Sequence, residues 1–177
     1  DECGDLQGFF QSYSNCSSVA FSCNGNTLAV GTEDGSIELW NGKTLHFSYR
    51  IRDRDGMEDG EERESITGVA FARKDTLLVA TTSRAEVEVW SLASKKRLFS
   101  SFLNYDCPPK RLAGVTERSI ITAGNSRYCG IWQFDGTYRK SLCFEENVTD
   151  AVVISPLQGI AIADVAGGVS FWELASG

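Results

Sequence analysis

The stretch VAFSCNGNTLAVGTEDGSIELW, from Val19 to Trp40, alternates short apolar runs with turn-forming residues. The same order returns from Val69 to Trp90. In both copies a leucine stands twelve residues before the tryptophan, and an isoleucine takes that place before the two remaining tryptophans. The four pairs are Leu28 and Trp40, Leu78 and Trp90, Ile120 and Trp132, and Ile160 and Trp172. The chain therefore consists of four repeats, and repeats that cannot bury a core alone stack on one another.

The first repeat predicts four short strands. Val19 to Phe21 and Leu28 to Thr32 flank an Asn-Gly turn, which is a strong hairpin signal because both residues tolerate positive φ. Asp34-Gly35 and Asn41-Gly42 predict the next two turns. No segment of the chain shows apolar residues at helical spacing over two or more turns without a glycine or an alternating stretch intervening. The sequence therefore predicts an all-β protein built of four-stranded antiparallel units.

Composition and charge argue against several functional classes. The 177 residues carry a net charge of −7, and general nucleic-acid binding depends on clustered Lys and Arg. We therefore do not expect nucleic acid as a partner. We do not expect a membrane either, since no apolar run is long enough to span a bilayer. No signal peptide pattern opens the sequence, and the six cysteines form no Cys-x-x-Cys pair. Reduced thiols and an intracellular location, cytoplasmic or nuclear, are the expectation.

No catalytic, metal or cofactor site is expected from the sequence. Glu61, Glu62 and Glu64 lie in a glycine-containing charged loop, where the burial that tunes a carboxyl group for acid–base catalysis is not expected. The single histidine, His46, lies in a predicted strand without neighbouring metal ligands. Ala166-Gly167-Gly168 joins two predicted strands, and no helix follows it to bind phosphate. The sequence predicts that the protein is not an enzyme.

Three motifs of the first repeat resemble the WD-repeat family of β-propellers: Val-Ala-Phe-Ser, Leu-Ala-Val-Gly-Thr and Asp-Gly-Ser-Ile-Glu-Leu-Trp. The resemblance covers Cys16 to Leu174, nearly the whole chain. It implies four-stranded blades of about 40 to 45 residues that stack face to face. It also implies that the tryptophans fill the space between blades, at positions Trp40, Trp90, Trp132 and Trp172.

The repeats depart from the family pattern. The Gly-His pair that usually precedes the first strand is absent from every repeat. The turn aspartate of the family's buried hydrogen-bond network is matched only by Asp34, and the equivalent positions are Arg84, Ser126 and Ala166. We therefore expect degenerate blades that are held more by apolar packing than by this polar network.

The resemblance divides the chain into blades. Distances of 50, 42 and 40 residues between successive tryptophans place an insertion in the first interval. Leu6 to Phe10 is the candidate for an edge strand, while Tyr138 to Phe144 and Val148 to Ile154 are predicted as separate strands. The predicted units are an edge strand or the end of a preceding blade at 1–15, blade 1 at 16–52, an acidic insertion loop at 53–65, blade 2 at 66–104, blade 3 at 105–144, and blade 4 at 145–177, which lacks its outer strand.

Four blades are fewer than the seven or eight that are usual in this family. We therefore expect this chain to form part of a larger ring. The missing blades would come from the same gene product, from a second copy or from a partner chain.

Function in such a scaffold is expected in the loops, because a rigid stack holds them in fixed relation. Our first hypothesis is a scaffold segment that binds other proteins within a multi-subunit assembly. The alternative is a regulatory or sensor arm of a signalling ATPase of the apoptosome type. Aromatic and charged loop residues are the candidate contacts. They are Tyr105, Arg127, Tyr128, Arg84, Glu61 and Glu62.

Overall fold

The structure is a computed structural model and describes residues 8–52, 64–102, 111–124, 126–154 and 159–174. Within these residues all regular secondary structure is β-strand, and sequential strands pair antiparallel. The prediction of an all-β fold is therefore confirmed. The order of strands in each sheet follows the order of the chain, as expected for strands joined by hairpin turns.

The first two blades are separate four-stranded sheets. Blade 1 contains β1 (Cys16–Phe21), β2 (Thr27–Thr32), β3 (Ile37–Asn41) and β4 (Phe47–Arg52). Blade 2 contains β5 (Ile66–Ala72), β6 (Leu77–Thr82), β7 (Glu86–Ser91) and β8 (Lys96–Phe102). Asn24-Gly25 and Asp34-Gly35 form turns, with both glycines at positive φ, as the sequence of the first repeat predicts.

The third and fourth blades share one six-stranded sheet. Its strands are β9 (Arg111–Val115), β10 (Ile120–Ala123), β11 (Ser126–Trp132), β12 (Tyr138–Ile154), β13 (Gly159–Asp164) and β14 (Val169–Glu173). The predicted break between Phe144 and Val148 is wrong, because β12 runs through it. No Gly or Pro interrupts the strand there, and Val148 pairs with both Ser126 of β11 and Asp164 of β13. The first part of β12 closes blade 3, and its second part opens blade 4.

The segment Gly8–Asn15 approaches the outer face of blade 1 without forming a strand. Leu6 and Gln7, the first residues of the predicted edge strand, lie outside the described residues. The Phe10 ring stacks on Trp40 with 4.2 Å between ring centroids. This segment is therefore held by side-chain contacts to the blade and by the Glu33 N–H, which donates to the Asn15 carbonyl at 2.9 Å.

Each pair of neighbouring blades encloses an apolar core. The first core lies between blades 1 and 2, the second between blades 2 and 3, and the third between blades 3 and 4. The first core contains Ala29, Ile37, Leu39, Ile51, Ile66, Val69, Phe71, Leu78 and Ala80. The second contains Ala72, Val79, Ala85, Val87, Val89, Ile120, Trp132 and Phe134. The third contains Ile121, Ala123, Cys129, Ile131, Val148, Ile160 and Ile162.

The strand register gives every blade two distinct faces. Residues that are directly opposite in neighbouring strands share a face, so Phe71, Leu78 and Trp90 form one row in blade 2. We call the face that carries this row the tryptophan face. The residue just before the tryptophan lies on the other side of the sheet, which we call the opposite face. In blade 1 the opposite face carries the row Ala20, Ala29 and Leu39. In the first core the tryptophan face of blade 2 packs on the opposite face of blade 1.

The four tryptophans are not equally buried. Trp132 is buried in the second core, and Trp90 packs at the edge of the first. Trp40 is buried under Phe10, whereas Trp172 remains 41% exposed. Among the described residues no strand lies outside β14, and the Phe144 ring contacts Trp172 edge-on at 5.4 Å. Burial of the tryptophan therefore depends on the elements that flank each blade.

Replacing Trp90 with alanine is expected to lower the free energy of unfolding by about 3 to 5 kcal/mol, because it leaves a cavity beside the first core. The matched change Trp172→Ala is expected to cost only about 1 to 2 kcal/mol, since much of that ring is already in water. Unfolding in denaturant measures both values. Equal losses in the two variants would contradict the assigned difference in packing.

Candidate protein-interaction surfaces

A buried glutamate accompanies the tryptophan in each of the first two blades. Glu38 and Glu88 stand two residues before Trp40 and Trp90, and their exposed fractions are 1% and 0%. Side chains two apart on a strand share a face, so each carboxylate lies beside its indole ring. The indole N–H of Trp40 donates to Glu38 at 3.1 Å, and that of Trp90 donates to Glu88 at 2.9 Å.

An arginine from blade 1 satisfies the buried charge of blade 2. Arg52, the last residue of β4, places Nε 3.2 Å from the Glu88 carboxylate. Its guanidinium also donates to the carbonyl of Gly35 and lies 3.7 Å from Glu64. Arg97 of β8 adds a second cation 3.1 Å from Glu88. Glu88 is therefore neutralised from its own blade and from the neighbouring one, which links the two blades.

The segment Gly8–Asn15 supplies the equivalent donor to blade 1. The Ser12 hydroxyl donates to Glu38 at 2.9 Å, and Arg50 of β4 pairs with the same carboxylate at 3.3 Å. The Arg50 guanidinium lies over the Tyr13 ring, 4.8 Å from its centroid. Ser12 thus takes toward Glu38 the position that Arg52 takes toward Glu88.

Blades 3 and 4 satisfy the tryptophan without a charge. Gly130 and Ser170 stand where the first two blades carry glutamate. The Trp132 indole donates instead to the Thr122 hydroxyl at 3.2 Å, and the Trp172 indole donates to the Ser170 hydroxyl at 2.8 Å. A Cβ at Gly130 would lie 2.7 Å from both the Thr122 hydroxyl and the Trp132 nitrogen, so only glycine leaves room for that bond.

Asp34 organises the turn between β2 and β3. Its Oδ1 accepts hydrogen bonds from the Thr32 hydroxyl at 2.6 Å and the Ser36 backbone N–H at 3.1 Å. Partial burial disfavours the charged form of Asp34, but these hydrogen bonds outweigh it and hold the pKa of the carboxyl below its ordinary value. The aspartate therefore fixes a local turn.

The predicted contact residues lie on different blades. Arg84, in the turn between β6 and β7, pairs with Glu64 at 2.9 Å and keeps about half of its side chain exposed. Arg127 of β11 is exposed, and Tyr128 beside it is half-buried. Tyr105, Glu61 and Glu62 lie outside the described residues. The role of these six residues in protein contacts stays a prediction.

The two ends of the blade stack expose apolar rows. On the outer face of blade 1, Val19 and Phe21 are 63% and 59% exposed. Phe21 lies in the row of Leu28 and Trp40, and Phe10 covers the Trp40 end of that row. On the outer face of blade 4, Val152, Ala161 and Phe171 form a row in which Phe171 is 74% exposed. Large exposed apolar patches commonly mark interaction sites.

The exposed rows correspond to the two halves of an interblade contact. Blade 1 presents its tryptophan face outward, since Leu28, Val30 and Trp40 form a cluster separate from the first core. Blade 4 presents its opposite face outward, since Phe171 stands just before Trp172 as Leu39 stands before Trp40. The two ends of the described stack are thus different surfaces of complementary type.

Two negative findings apply to the part of the chain that the structure describes. It contains no helix that is long and apolar enough to cross a membrane. It also contains no group of three or more His, Cys, Asp or Glu side chains that could hold a metal ion.

Comparison with known proteins agrees with this architecture. Residues 4–41 match the family model described as WD domain, G-beta repeat. The family model thus matches one of the four repeats, and the described residues fold as propeller blades. The match takes in the chain up to the end of β3, including the segment that packs on Trp40. The resemblance stated from the sequence is therefore confirmed.

The similar proteins include a subunit of a complex, and they are much longer than this chain. The chain is 18% identical over 168 residues to the target of rapamycin complex subunit wat1 of Schizosaccharomyces pombe, covering 90% of this chain and 51% of that protein. It is 23% identical over 175 residues to transducin beta-like protein 3 of Rattus norvegicus, covering 90% of this chain and 21% of that protein. The chain thus spans about half or less of the length of these relatives.

A solved structure shares the fold over nearly its whole length. The computationally designed Ika4 protein superposes with a TM-score of 0.68 at 19% identity, and the match covers 97% of this chain and 96% of Ika4. At this identity the likeness shows the fold alone.

Removing the buried carboxylate of blade 2 is expected to cost more than removing that of blade 1. Glu88→Ala removes the buried acceptor that Arg52, Arg97 and the Trp90 N–H share, and the expected loss of stability is about 3 to 5 kcal/mol. Glu38→Ala should cost about 1 to 2 kcal/mol, because Arg50 is about a quarter exposed and water can replace its partner. Denaturant unfolding of both variants tests this order, and a larger loss for Glu38→Ala would refute it.

Asp34→Asn is expected to reduce stability in a pH-dependent way. A folded pKa below the ordinary value of 3.8 favours the native state when the carboxyl is ionised. The loss, about half a kcal/mol for this partly exposed group, should be present above pH 3.8 and vanish as the pH falls through the lowered folded pKa. Unfolding curves across this range measure the difference, and a loss that is independent of pH would contradict the assignment.

Proposed function

We propose that this WD-repeat chain is a non-catalytic scaffold segment that mediates protein–protein contacts within a multi-subunit assembly. The observation that carries the proposal is the complementarity of the exposed faces at the two ends of the stack. A tryptophan face packs on an opposite face in the first core, and one of each is left outward. The relative named as a complex subunit supports the same role.

The proposed partner of blade 4 is another blade that presents a tryptophan face. Val152, Ala161 and Phe171 stand at the repeat positions of Ala20, Ala29 and Leu39, which accept the tryptophan face of blade 2. A further blade of the same gene product, a partner chain or a second copy could carry the matching face. Only association with a second copy can be tested with this chain alone, because its own blade 1 carries a tryptophan face.

The contacts of Gly8–Asn15 favour docking between blades 4 and 1. Ser12 reaches Glu38 as Arg52 at the end of the outer strand β4 reaches Glu88. This contact supports the proposal that the segment takes, on blade 1, the place of a preceding outer strand. The described part of blade 4 has three strands. On docking, blade 4 would supply these three strands, and the segment Gly8–Asn15 would take the place of the fourth, outer strand.

The sensor-arm alternative has no specific support among the contacts of the described residues. It concerns a nucleotide-binding module that would lie elsewhere in the gene product. It stays a prediction from the sequence.

In native mass spectrometry and light scattering, the chain is expected to form a dimer at micromolar concentration. Phe171→Glu places a charge in the centre of the proposed contact and should weaken association by at least about tenfold. Val165→Glu is the matched control, because Val165 is 59% exposed but lies in the turn between β13 and β14. A monomer at all concentrations, or equal weakening by both changes, would contradict the second-copy form of the proposal.

A further inference from the structure

One edge of the blade stack is formed by the turns within hairpins. The turns that join β1 to β2 and β3 to β4 lie side by side, since the Gly42 N–H donates to the Asn26 carbonyl at 2.8 Å. In blade 2 the Leu92 N–H donates to the Thr76 carbonyl at 3.1 Å in the same way. We call this the turn edge. It is perpendicular to the faces through which blades stack, so contacts between blades leave it accessible.

A cleft of about 820 Å³ opens at the turn edge between three blades. The turn after β1 forms one side, the turn after β5 the middle, and the turn after β9 the other side. Its apolar lining comes from Phe71, Ala72 and Val115, of which the first two are buried. Lys74 and Glu117 stand among the polar lining residues. A partly apolar cleft with a few polar groups is typical of binding sites.

The middle turn is fixed to both neighbouring blades. The Asp75 carboxylate accepts the backbone N–H of Cys23 at 2.8 Å and that of Asn24 at 3.3 Å, both from blade 1. On the other side, the Arg73 guanidinium lies 4.8 Å from the centre of the Phe134 ring of blade 3. The walls of the cleft are therefore held in place before any ligand binds.

The backbone of the middle turn is left-handed over three successive residues. The φ angles of Arg73, Lys74 and Asp75 are 48°, 54° and 64°. This conformation costs roughly 1 kcal/mol or more per non-glycine residue, and such strain is concentrated at functional sites. It directs Arg73 and Asp75 toward opposite blades. Lys74, between them, is exposed and makes no hydrogen bond or ion pair with the described residues.

The chemistry of the cleft favours binding over catalysis. The one thiol in its lining, Cys23, accompanies Asp75, whose hydrogen bond and negative charge raise the pKa of the thiol above its ordinary value. Cys23 is therefore protonated at neutral pH and is a weak nucleophile. Both oxygens of Asp75 already accept backbone N–H groups, so this carboxylate is not free to act as a base.

The charge of the turn edge is opposite in sign to that of the whole chain. The chain has a net charge of −7, yet cations outnumber anions among the described residues of these turns. The cations are Lys43, Arg73, Lys74, Lys95 and Arg118, and the anions are Asp75, Glu117 and Asp135. The two cations and two anions of the cleft lining balance each other, so the net positive charge comes from the surrounding turns. That charge favours an acidic partner at the turn edge.

We propose that this cleft binds an extended acidic peptide segment of a partner protein that inserts one apolar side chain. The apolar side chain would contact Phe71, Ala72 and Val115, and a carboxylate of the segment would pair with Lys74. The cleft is open along the turn edge, as an extended segment requires. The inference rests on the proposed scaffold role and adds to it a site and a class of partner.

The test uses a fluorescein-labelled peptide of aspartate and glutamate residues around a single leucine, and fluorescence anisotropy measures its binding to the whole chain. We expect saturable binding that weakens about tenfold when serine replaces the leucine and falls with rising salt. A peptide with lysines around the leucine should not bind. Absence of binding by the acidic leucine peptide, or equal binding by all three peptides, would overturn the proposal.

Variants at the rim locate the binding site. Lys74→Glu should weaken binding of the acidic leucine peptide by about tenfold, and Glu117→Gln should strengthen it. Lys43→Glu is the matched control, because it makes the same charge change on the turn edge outside the cleft lining, and its effect should stay within about twofold. All three side chains are exposed, so their unfolding curves should match that of the wild type. Equal effects of Lys74→Glu and Lys43→Glu would show a general charge effect and refute the cleft as the site.

Two further measurements separate this proposal from others. Labelled single-stranded DNA that binds as tightly as the acidic leucine peptide, with the same dependence on Lys74, would refute a peptide site. Association of two copies through the end faces of the stack is measured by native mass spectrometry and should depend on Phe171. The scaffold proposal and the cleft proposal can therefore fail independently.

Discussion

A blade that stands between two others has both faces removed from water. In a sheet with one wet face, every second side chain of a strand can remain solvated, but the central strands of this stack do not have that freedom. In β7 the residues from Glu86 to Val89 are buried on both faces, including Glu88. In β3 of the end blade, Glu38 is buried as well, because the segment Gly8–Asn15 covers that face. A buried carboxylate is tolerated only when donors surround it. The contacts of the tryptophan faces in blades 1 and 2 follow from this need.

The donors that satisfy Glu88 also distinguish one interface from another. Replacing a buried ion pair with apolar groups is often neutral or stabilising, so the Arg52–Glu88 pair is weak evidence for stability. It does restrict which blade can precede blade 2, because an outer strand without a donor would leave Glu88 unsatisfied. At the interface between blades 2 and 3, Gly130 stands where blade 2 has Glu88. This interface relies instead on the Thr122 hydroxyl and on apolar packing. The blades thus share one geometry while their interfaces differ in chemistry.

Repeat spacing and turn residues were enough to predict the all-β fold and most strand positions. In the sequence Glu38 alternates with the apolar residues Ile37 and Leu39, a pattern that would suggest a solvated face for the glutamate. The available signal for burial was the position of Glu38 two residues before Trp40. Residues two apart on a strand share a face, so a tryptophan that lies between blades places Glu38 between blades as well. The joining of two predicted strands in β12 was less accessible. Continuity there depends on Val148 finding partners in both β11 and β13, and sequence patterns do not specify pairing between distant segments.

The ion pairs at the start of blade 2 also explain how an insertion is accommodated between blades 1 and 2. Arg52 is the last residue of β4, and Glu64 lies near the end of the connection, where it is buried although the sequence predicts no burial there. Their side chains approach within 3.7 Å. Arg84 holds Glu64 from the other side at 2.9 Å. The cost of closing a loop grows only with the logarithm of its length, so the length of the connection matters little once its two ends are fixed. The first interface can therefore keep the geometry of the others although its connection is about ten residues longer, and changes within that connection are decoupled from the packing of the blades.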